Sequence, residues 1–250
     1  MKNELINQAV EFINKSKSIV AFTGAGVSAE SKIPTFRDDD GIWKRYNPQL
    51  LEINHFMANP AASWVAIKEI FYTKFANAEP NDSHYALAEL ERMGKLRSVI
   101  TQNIDNLHQR SGSKNVIEFH GNSQNLVCIK CKQFYSISDI DLKAEIPKCN
   151  HCSGILKPDF VFFGENISQK TYNLVTRESH LCDLMIIVGT SGEVFPAALI
   201  PENAKFYGAK IVEINTKPST FTNTLVDIFI EGKASMVLRK IVNLYKQKYF

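Results

Sequence analysis

Two thiol pairs, Cys128-x-x-Cys131 and Cys149-x-x-Cys152, are separated by residues 132–148. That interval falls within the spacing of tetrathiolate zinc sites. Four soft thiolates suit tetrahedral zinc, and a closed four-ligand shell leaves no position for a reactive water, so the site reads as structural. A zinc ribbon that binds nucleic acid is the competing reading. No basic–aromatic stripe flanks the cysteines, which favours a clamp that lets a small module fold. His151, between the last two cysteines, is a second-choice ligand, and Cys182 reads as a small core residue. Proton chemistry points elsewhere. His120 ends the apolar run Val116-Ile117-Glu118-Phe119 and precedes Gly121. In α/β sheets ligands bind beyond the carboxyl ends of strands, and a histidine there is placed for proton transfer near neutral pH. Gln102-Asn103-Ile104-Asp105 follows another expected strand, Arg97 to Thr101, and sets two amides and a carboxylate on the same edge; helix capping by Asn103 or Asp105 is the structural alternative. His108 reads as a packed or capping histidine. His55, His84 and His180 sit in polar or helical contexts that need no special account.

Gly24-Ala25-Gly26-Val27-Ser28-Ala29 follows a strand and fits the G-x-G-x-x-G/A fingerprint, with Ala29 as the last small residue. Glycines there let main-chain N–H groups approach a pyrophosphate, and a small third residue allows close packing. The acidic ribose ligand expected about 20 residues further on is missing. Pro34-Thr35-Phe36-Arg37-Asp38 follows instead, which does not read as the helix of an ordinary dinucleotide fold.

The elements that must hold these residues follow from hydrophobic spacing. Residues 3–15 predict a helix, with Leu5, Ile6, Ala9, Val10 and Ile13 on one face. Strands are expected at 19–22, 97–101, 116–119, 184–188 and 211–214. Asn59-Pro60 reads as a helix start, followed by Trp64, Ile67, Phe71 and Phe75 on one face. A second helix starts near Asp82-Ser83 and stops at Gly94. Pro196 to Tyr207 predicts a helix closed by Gly208, and the chain ends in an amphipathic helix after Gly232, with Val237, Leu238, Ile241, Val242 and Tyr245 facing inward. Strands alternating with helices imply an α/β fold with a parallel sheet covered on both faces. The 250 residues carry 29 Lys and Arg against 26 Asp and Glu, a formal charge of +3, with 44% hydrophobic residues. This suits one large domain with a small satellite and gives no broad basic surface for nucleic acid. No apolar stretch approaches the ~20 residues of a membrane span, no secretory signal is evident, and five cysteines in this arrangement suggest a reducing compartment, so the cytoplasm is expected.

Taken together, the chain resembles the sirtuins, NAD-dependent protein-lysine deacylases, as a catalytic core of bacterial or archaeal type. The matching stretches, in the family's order, are Gly24 to Ser31, Ile33 to Arg37, Thr101 to His108, Phe119-His120-Gly121, the four cysteines, Lys157 to Glu165, Gly189-Thr190-Ser191 and Glu213-Ile214-Asn215. The resemblance implies a Rossmann-like domain from residues 1–38, 81–122 and 158–250, a helical insertion at 39–80 and a zinc module at 123–157. NAD as co-substrate and one structural zinc are the expected cofactors. Acylated-lysine proteins are the expected partners, with no direct nucleic-acid or membrane partner.

The chemistry so implied is displacement of nicotinamide at C1′ of its ribose by the acyl oxygen, through an O-alkylamidate, giving free lysine and O-acetyl-ADP-ribose. His120 would be the general base and Asn103 the second catalytic residue. Asn103, Ile104 and Asp105 would line the nicotinamide pocket, with Gln102 beside them. Phe36 would cover the reacting centre, and Thr35 and Arg37 would belong to the loop that holds it. Gly24, Ala25, Gly26 and Ala29 would meet the pyrophosphate, and Gly189, Thr190, Ser191, Asn215 and Ala234 the adenosine end. Val161 and Phe162 match the stretch that pairs with the peptide. Protein mono-ADP-ribosyl transfer is the alternative activity, and preference for longer or acidic acyl groups the alternative specificity. Acidic-acyl members carry a Tyr-x-x-Arg pair; Tyr72 is followed by Phe75 here, which favours uncharged acyl groups unless Lys68 or Lys74 substitutes. Lys32 stands where the family usually has glycine, a strained choice if the position needs positive φ. Glu193 has no evident role.

Overall fold

A computed structural model describes residues 2–35, 41–75 and 77–250, with Lys74 described through its backbone alone. Nine strands are found among the described residues: Ile19–Thr23 (β1), Leu96–Thr101 (β2), Val116–Glu118 (β3), Gly121–Cys128 (β4), Phe134–Ser136 (β5), Leu156–Phe160 (β6), Leu184–Val188 (β7), Lys210–Asn215 (β8) and Ile228–Glu231 (β9). Six of them form one sheet in the order β3-β2-β1-β7-β8-β9, with every neighbouring pair parallel. β1 and β7 are buried at every residue, because helices cover both faces, and so they read as unbroken apolar runs. Helices Lys2–Lys15, Asp82–Arg92 and Ala234–Tyr249 contribute to the core on one face, and Gln169–Leu181 and Leu199–Phe206 to the core on the other.

The strand order reverses at β1. The chain first builds outward through β2 and β3, then returns to pair β7 on the other side of β1. The connections that follow β1 and β7 therefore run to opposite sides of the sheet, and the crevice outside the carboxyl ends of these strands is where α/β sheets bind ligands.

The remaining strands form a small antiparallel sheet, β5-β4-β6. It shares one apolar core with the helices of residues 42–75, including Trp64, Ile67, Phe71, Leu126 and Leu156. Polar ties join the same two parts. The Trp64 indole donates to Leu156 O at 3.0 Å, Tyr72 Oη to Ser123 O at 2.9 Å, and Lys68 Nζ to Glu145 O at 3.1 Å and also to Ala144 O. The insertion and the cysteine-bearing segment thus fold against each other; truncating the fully buried Trp64 removes contacts worth about 3–5 kcal/mol.

Two elements depart from the periodicity. The helix starting at Pro60 runs as an α-helix to Ile67 and then widens into a π-helical stretch, Lys68–Lys74. The wider turn sets Phe71, Tyr72 and Phe75 all against the crevice, at a kind of helix defect that is frequent at functional sites. The helix expected from Pro196 begins only at Leu199, because Leu199 N–H bonds Pro196 O and Ile200 N–H bonds Ala197 O, closing tight turns first.

Candidate active site

The crevice is a cavity of about 920 Å³ lined by Gly24, Ala25, Gly26, Ala29, Thr35, Gln102, Asn103, Ile104, Asp105, His120, Val161, Phe162, Gly189, Thr190, Ser191, Asn215 and Ala234. These are the cofactor, catalytic and peptide residues expected from the sequence. Phe36 and Arg37 lie outside the described residues.

The glycine loop leaves β1 and enters a short 3₁₀ turn, Ala25–Ser31, rather than a long helix. Its glycines are set first by contact with the loop after β7. Gly24 N–H donates to Val188 O at 3.0 Å and Gly26 N–H to Gly189 O at 2.8 Å. A Cβ on Gly26 would stand 2.7 Å from Gly189 Cα, and one on Gly189, itself at φ +62°, would stand 2.4 Å from Val27 N. The turn ends at Lys32 with φ +66°, so the position does take the left-handed conformation that glycine tolerates best.

Two amides, Asn215 expected at the adenosine end and Gln102 expected beside the nicotinamide pocket, tie three loops together. Asn215 Nδ2 donates to Thr190 O at 2.9 Å, and Gln102 Nε2 to Thr190 Oγ1 at 3.0 Å. Gly192 is a steric requirement, because a Cβ there would meet Thr220 Oγ1 at 2.2 Å.

After β2, Asp105 has two tasks. Its Oδ1 accepts the Leu107 N–H at 3.0 Å, which starts a short helix, and its Oδ2 accepts Ser28 Oγ at 2.6 Å. Ser28 Oγ in turn accepts Asn103 Nδ2 at 3.1 Å. The capping reading of Asp105 therefore holds, and the same carboxylate also lines the cavity. Behind Ser28 lies His84, which sequence reasoning passed over. His84 Nδ1 accepts the Asn81 N–H at 3.2 Å, which puts the proton of a neutral ring on Nε2, 3.4 Å from Ser28 Oγ. The signal was present locally: His84 is the third residue of helix Asp82–Arg92 and completes its capping box with Asn81. His108 packs edge-on to His84, with ring centroids 4.8 Å apart, and its Nε2 lies 3.0 Å from Thr23 Oγ1. Burial holds both rings neutral, lowering His84 to about 4, with the Asp105 charge opposing, and His108 to about 3.

His120 stands where the sequence put it, just beyond β3. Its Nδ1 lies 3.1 Å from Gln102 O. A carbonyl can only accept, so Nδ1 carries the proton and Nε2 keeps its lone pair. Burial lowers its pKa below the ordinary 6.5, opposed by the bond to Gln102. At neutral pH the imidazole is therefore an uncharged base.

The sulfur atoms of Cys128, Cys131, Cys149 and Cys152 lie within 4.8 Å of one another, with 3.5 Å between Cys128 and Cys152 and 3.6 Å between Cys131 and Cys149. Tetrahedral zinc with bonds of about 2.3 Å needs sulfurs about 3.8 Å apart, so the group fits. Both Cys-x-x-Cys turns close alike: Lys132 N–H bonds Cys128 O and Ser153 N–H bonds Cys149 O, and both residues following the pairs have positive φ. His151 is exposed and outside this group. Cys182 is a buried core thiol, pushed up to about 12 by burial.

Known proteins place this arrangement. The model of the Sir2 family matches residues 24–196. The chain is 47% identical to NAD-dependent protein deacylase 2 of Archaeoglobus fulgidus, covering 97% of this chain and 96% of that protein. A solved Sir2 enzyme superposes with a TM-score of 0.91 at 46% identity, covering 99% of both chains. A Sir2 complex with p53 peptide and NAD+ superposes at 0.89 and 34% identity, over 97% of this chain and 99% of that one. The family model spans more than half of the chain and the relatives match over nearly all of it, so the chain belongs to the Sir2 family.

Proposed function

We propose that this protein is an NAD-dependent protein-lysine deacetylase that moves the acyl group from lysine to ADP-ribose and releases nicotinamide. The observation that carries the reading is one cavity holding three things. They are His120 with Nε2 unprotonated, the Ser28–Asn103–Asp105 network, and the Val161–Phe162 edge. NAD supplies an electrophilic ribose carbon with nicotinamide as leaving group. Ala25, Ala29 and the backbone of the two glycine loops hold its phosphates, and Thr190, Ser191, Asn215 and Ala234 hold its adenosine. Asp105, fixed by Ser28 and Asn103, faces the carboxamide, and Ile104 covers the ring. Val161 and Phe162 pair with the substrate peptide as an added strand. His120 Nε2 takes a proton from a ribose hydroxyl, and its bond to Gln102 O keeps that nitrogen aimed and unprotonated. The four cysteines hold one structural zinc. Of the insertion assigned to 39–80, the described residues 41–75 pack with the module at 123–157 as the small part of the molecule. Among described residues no helix is long and apolar enough to cross a membrane. We assign the cytoplasm from the four unpaired thiols kept as ligands.

Acyl groups without charge are preferred. Phe71, Tyr72, Phe75, Ile137 and Leu142 line the part of the cavity between the insertion and the zinc module. Lys68, a candidate partner for an acidic acyl group, is turned away to the carbonyls of Ala144 and Glu145. The Lys74 side chain lies outside the described residues.

The test is incubation with NAD and an acetyl-lysine peptide, following nicotinamide and O-acetyl-ADP-ribose. Peptide-dependent formation of both is expected, with His120→Ala folding normally and losing most turnover. Label from NAD on protein side chains would instead identify an ADP-ribosyltransferase, and faster turnover of a succinyl-lysine peptide would overturn the acyl preference.

A further inference from the structure

One buried ammonium organises the edge assigned above to the peptide. Lys157 lies on β6 and is only 6% exposed. Its Nζ donates to Phe160 O at 2.7 Å and Pro158 O at 2.9 Å, and meets Glu165 Oε2 at 3.0 Å. An ammonium has three N–H donors, and all three are used. The charge also sits 4.1 Å from the centre of the Phe162 ring, a cation–π contact that orients a cavity-lining side chain. The same Glu165 oxygen accepts the Phe162 N–H at 2.8 Å. The ion pair therefore binds backbone groups on both sides of Val161. The Val161 N–H itself goes to His120 O at 2.8 Å.

A lysine that only filled space here would gain from replacement by an apolar residue of its size, since desolvating a charge is expensive. Burial does push Lys157 below its ordinary pKa, with Glu165 opposing. What the charge gives in return is geometry: two carbonyls, one N–H and one ring of a single short segment. Lys157 does not itself line the cavity, whereas Glu165 does. Any effect of Lys157 on substrate must pass through the segment it holds.

We propose that Lys157 and Glu165 form an ionic buckle that positions the Val161–Phe162 edge for the acyl-lysine peptide and, through the Val161 N–H, the backbone of His120. They are positioning residues for the peptide, and the proposal rests on the deacetylase reading above. Ligand contacts held by locked supporting residues lose affinity when the support is removed, even with the contacts themselves intact.

The experiment is steady-state kinetics of the zinc-loaded enzyme and its Lys157→Met, Lys157→Arg, Glu165→Gln and Lys157→Met/Glu165→Gln variants, varying peptide and NAD separately. Lys157→Met raises the KM for peptide about tenfold while the KM for NAD stays within about twofold. Lys157→Arg, which keeps the charge and its donors, stays within about threefold of wild type. The double variant, with no carboxylate left unpaired, recovers part of the loss. A role confined to stability would lower the melting temperature and leave the peptide KM of every folded variant unchanged, which overturns the buckle. If Lys157→Met does not fold, Glu165→Gln carries the same test, with a smaller rise in peptide KM expected and no rise overturning it. Wild-type enzyme with no peptide-dependent nicotinamide release overturns the function reading itself, and is told apart by needing no variant.

Discussion

Acidification should unfold this protein through the two histidines stacked behind the glycine loop. His84 and His108 are both buried, and burial lowers them to about 4 and about 3 from an ordinary 6.5. In the unfolded chain they take up protons near 6.5, and in the folded chain they stay neutral far below it. The unfolded state therefore binds more protons across that interval, and stability is greatest above 6.5 and falls as pH drops toward 4. Going from pH 7 to pH 5 removes about 2 kcal/mol for each ring and about 4 kcal/mol for both. Set against a usual total of about 5–15 kcal/mol, this is a large fraction. Glu118 and Asp159, whose carboxyls burial raises, act in the opposite sense as the carboxylate range is reached, and offset part of the loss. A variant isolates the histidines from them. His108→Gln sets an amide near the position of Nε2, within reach of Thr23, and removes one titrating ring. Urea unfolding followed by far-UV circular dichroism at the two pH values, with wild type and variant in the same zinc-containing buffer, makes zinc loss common to both. The loss of stability between the two pH values should shrink by about 2 kcal/mol in the variant. A wild-type loss below about 1 kcal/mol, or an equal loss in wild type and variant, would refute the reasoning.

Three further outcomes follow from the same geometry. His120 is lowered by burial, so the acid limb of kcat/KM should have its midpoint below 6.5 and the rate should be flat through neutrality; a midpoint above 6.5 would contradict a neutral buried base. Lys32→Gly should stabilise the protein by about 0.5–1 kcal/mol in urea titrations, because it relieves a side chain at φ +66°; a loss of stability would show that the lysine makes contacts worth more than its strain. Prolonged chelation should remove about one zinc per chain by elemental analysis and expose the core around Trp64, seen as a red shift in tryptophan fluorescence; an unshifted spectrum in metal-free protein would mean that the four thiols do not hold the small sheet together.

What could be read from the sequence was whatever depends on neighbours along the chain. β7 was visible as five buried aliphatic residues in a row, and the zinc group as two pairs at a metal spacing. His120 was visible because strand ends collect ligands in parallel sheets. His84 was not, because its role comes from helix Asp82–Arg92 passing beneath a loop 56 residues earlier. Its local environment, polar and at a helix start, gave the ordinary reading. Lys157 was hidden in the opposite way. No strand is expected there from the spacing and a lysine ordinarily faces solvent, so only the fold shows all three of its donors turned inward.

The glycine fingerprint shows why a correct match can carry an incomplete cause. Backbone access to phosphate explains why a ligand tolerates glycine at Gly24 and Gly26, but both positions are already closed to a side chain before any ligand arrives. Thr190 Cβ would lie 2.8 Å from a Cβ on Gly24, and Gly189 Cα 2.7 Å from one on Gly26. The two loops meet there because β1 and β7 are adjacent and parallel, with Thr23 opposite Val188 in register. Strand order thus dictates the glycines, and the surface proposed to meet phosphate is what remains when two loops leave the sheet that close together. The same contact accounts for the amides: with the loops pressed into one body, Asn215 and Gln102 can both reach Thr190 and fix the loop proposed to hold adenosine, with no acidic residue after the fingerprint. The missing carboxylate and the short 3₁₀ turn after Gly24 are therefore one departure from the ordinary dinucleotide fold, seen at two places in the chain.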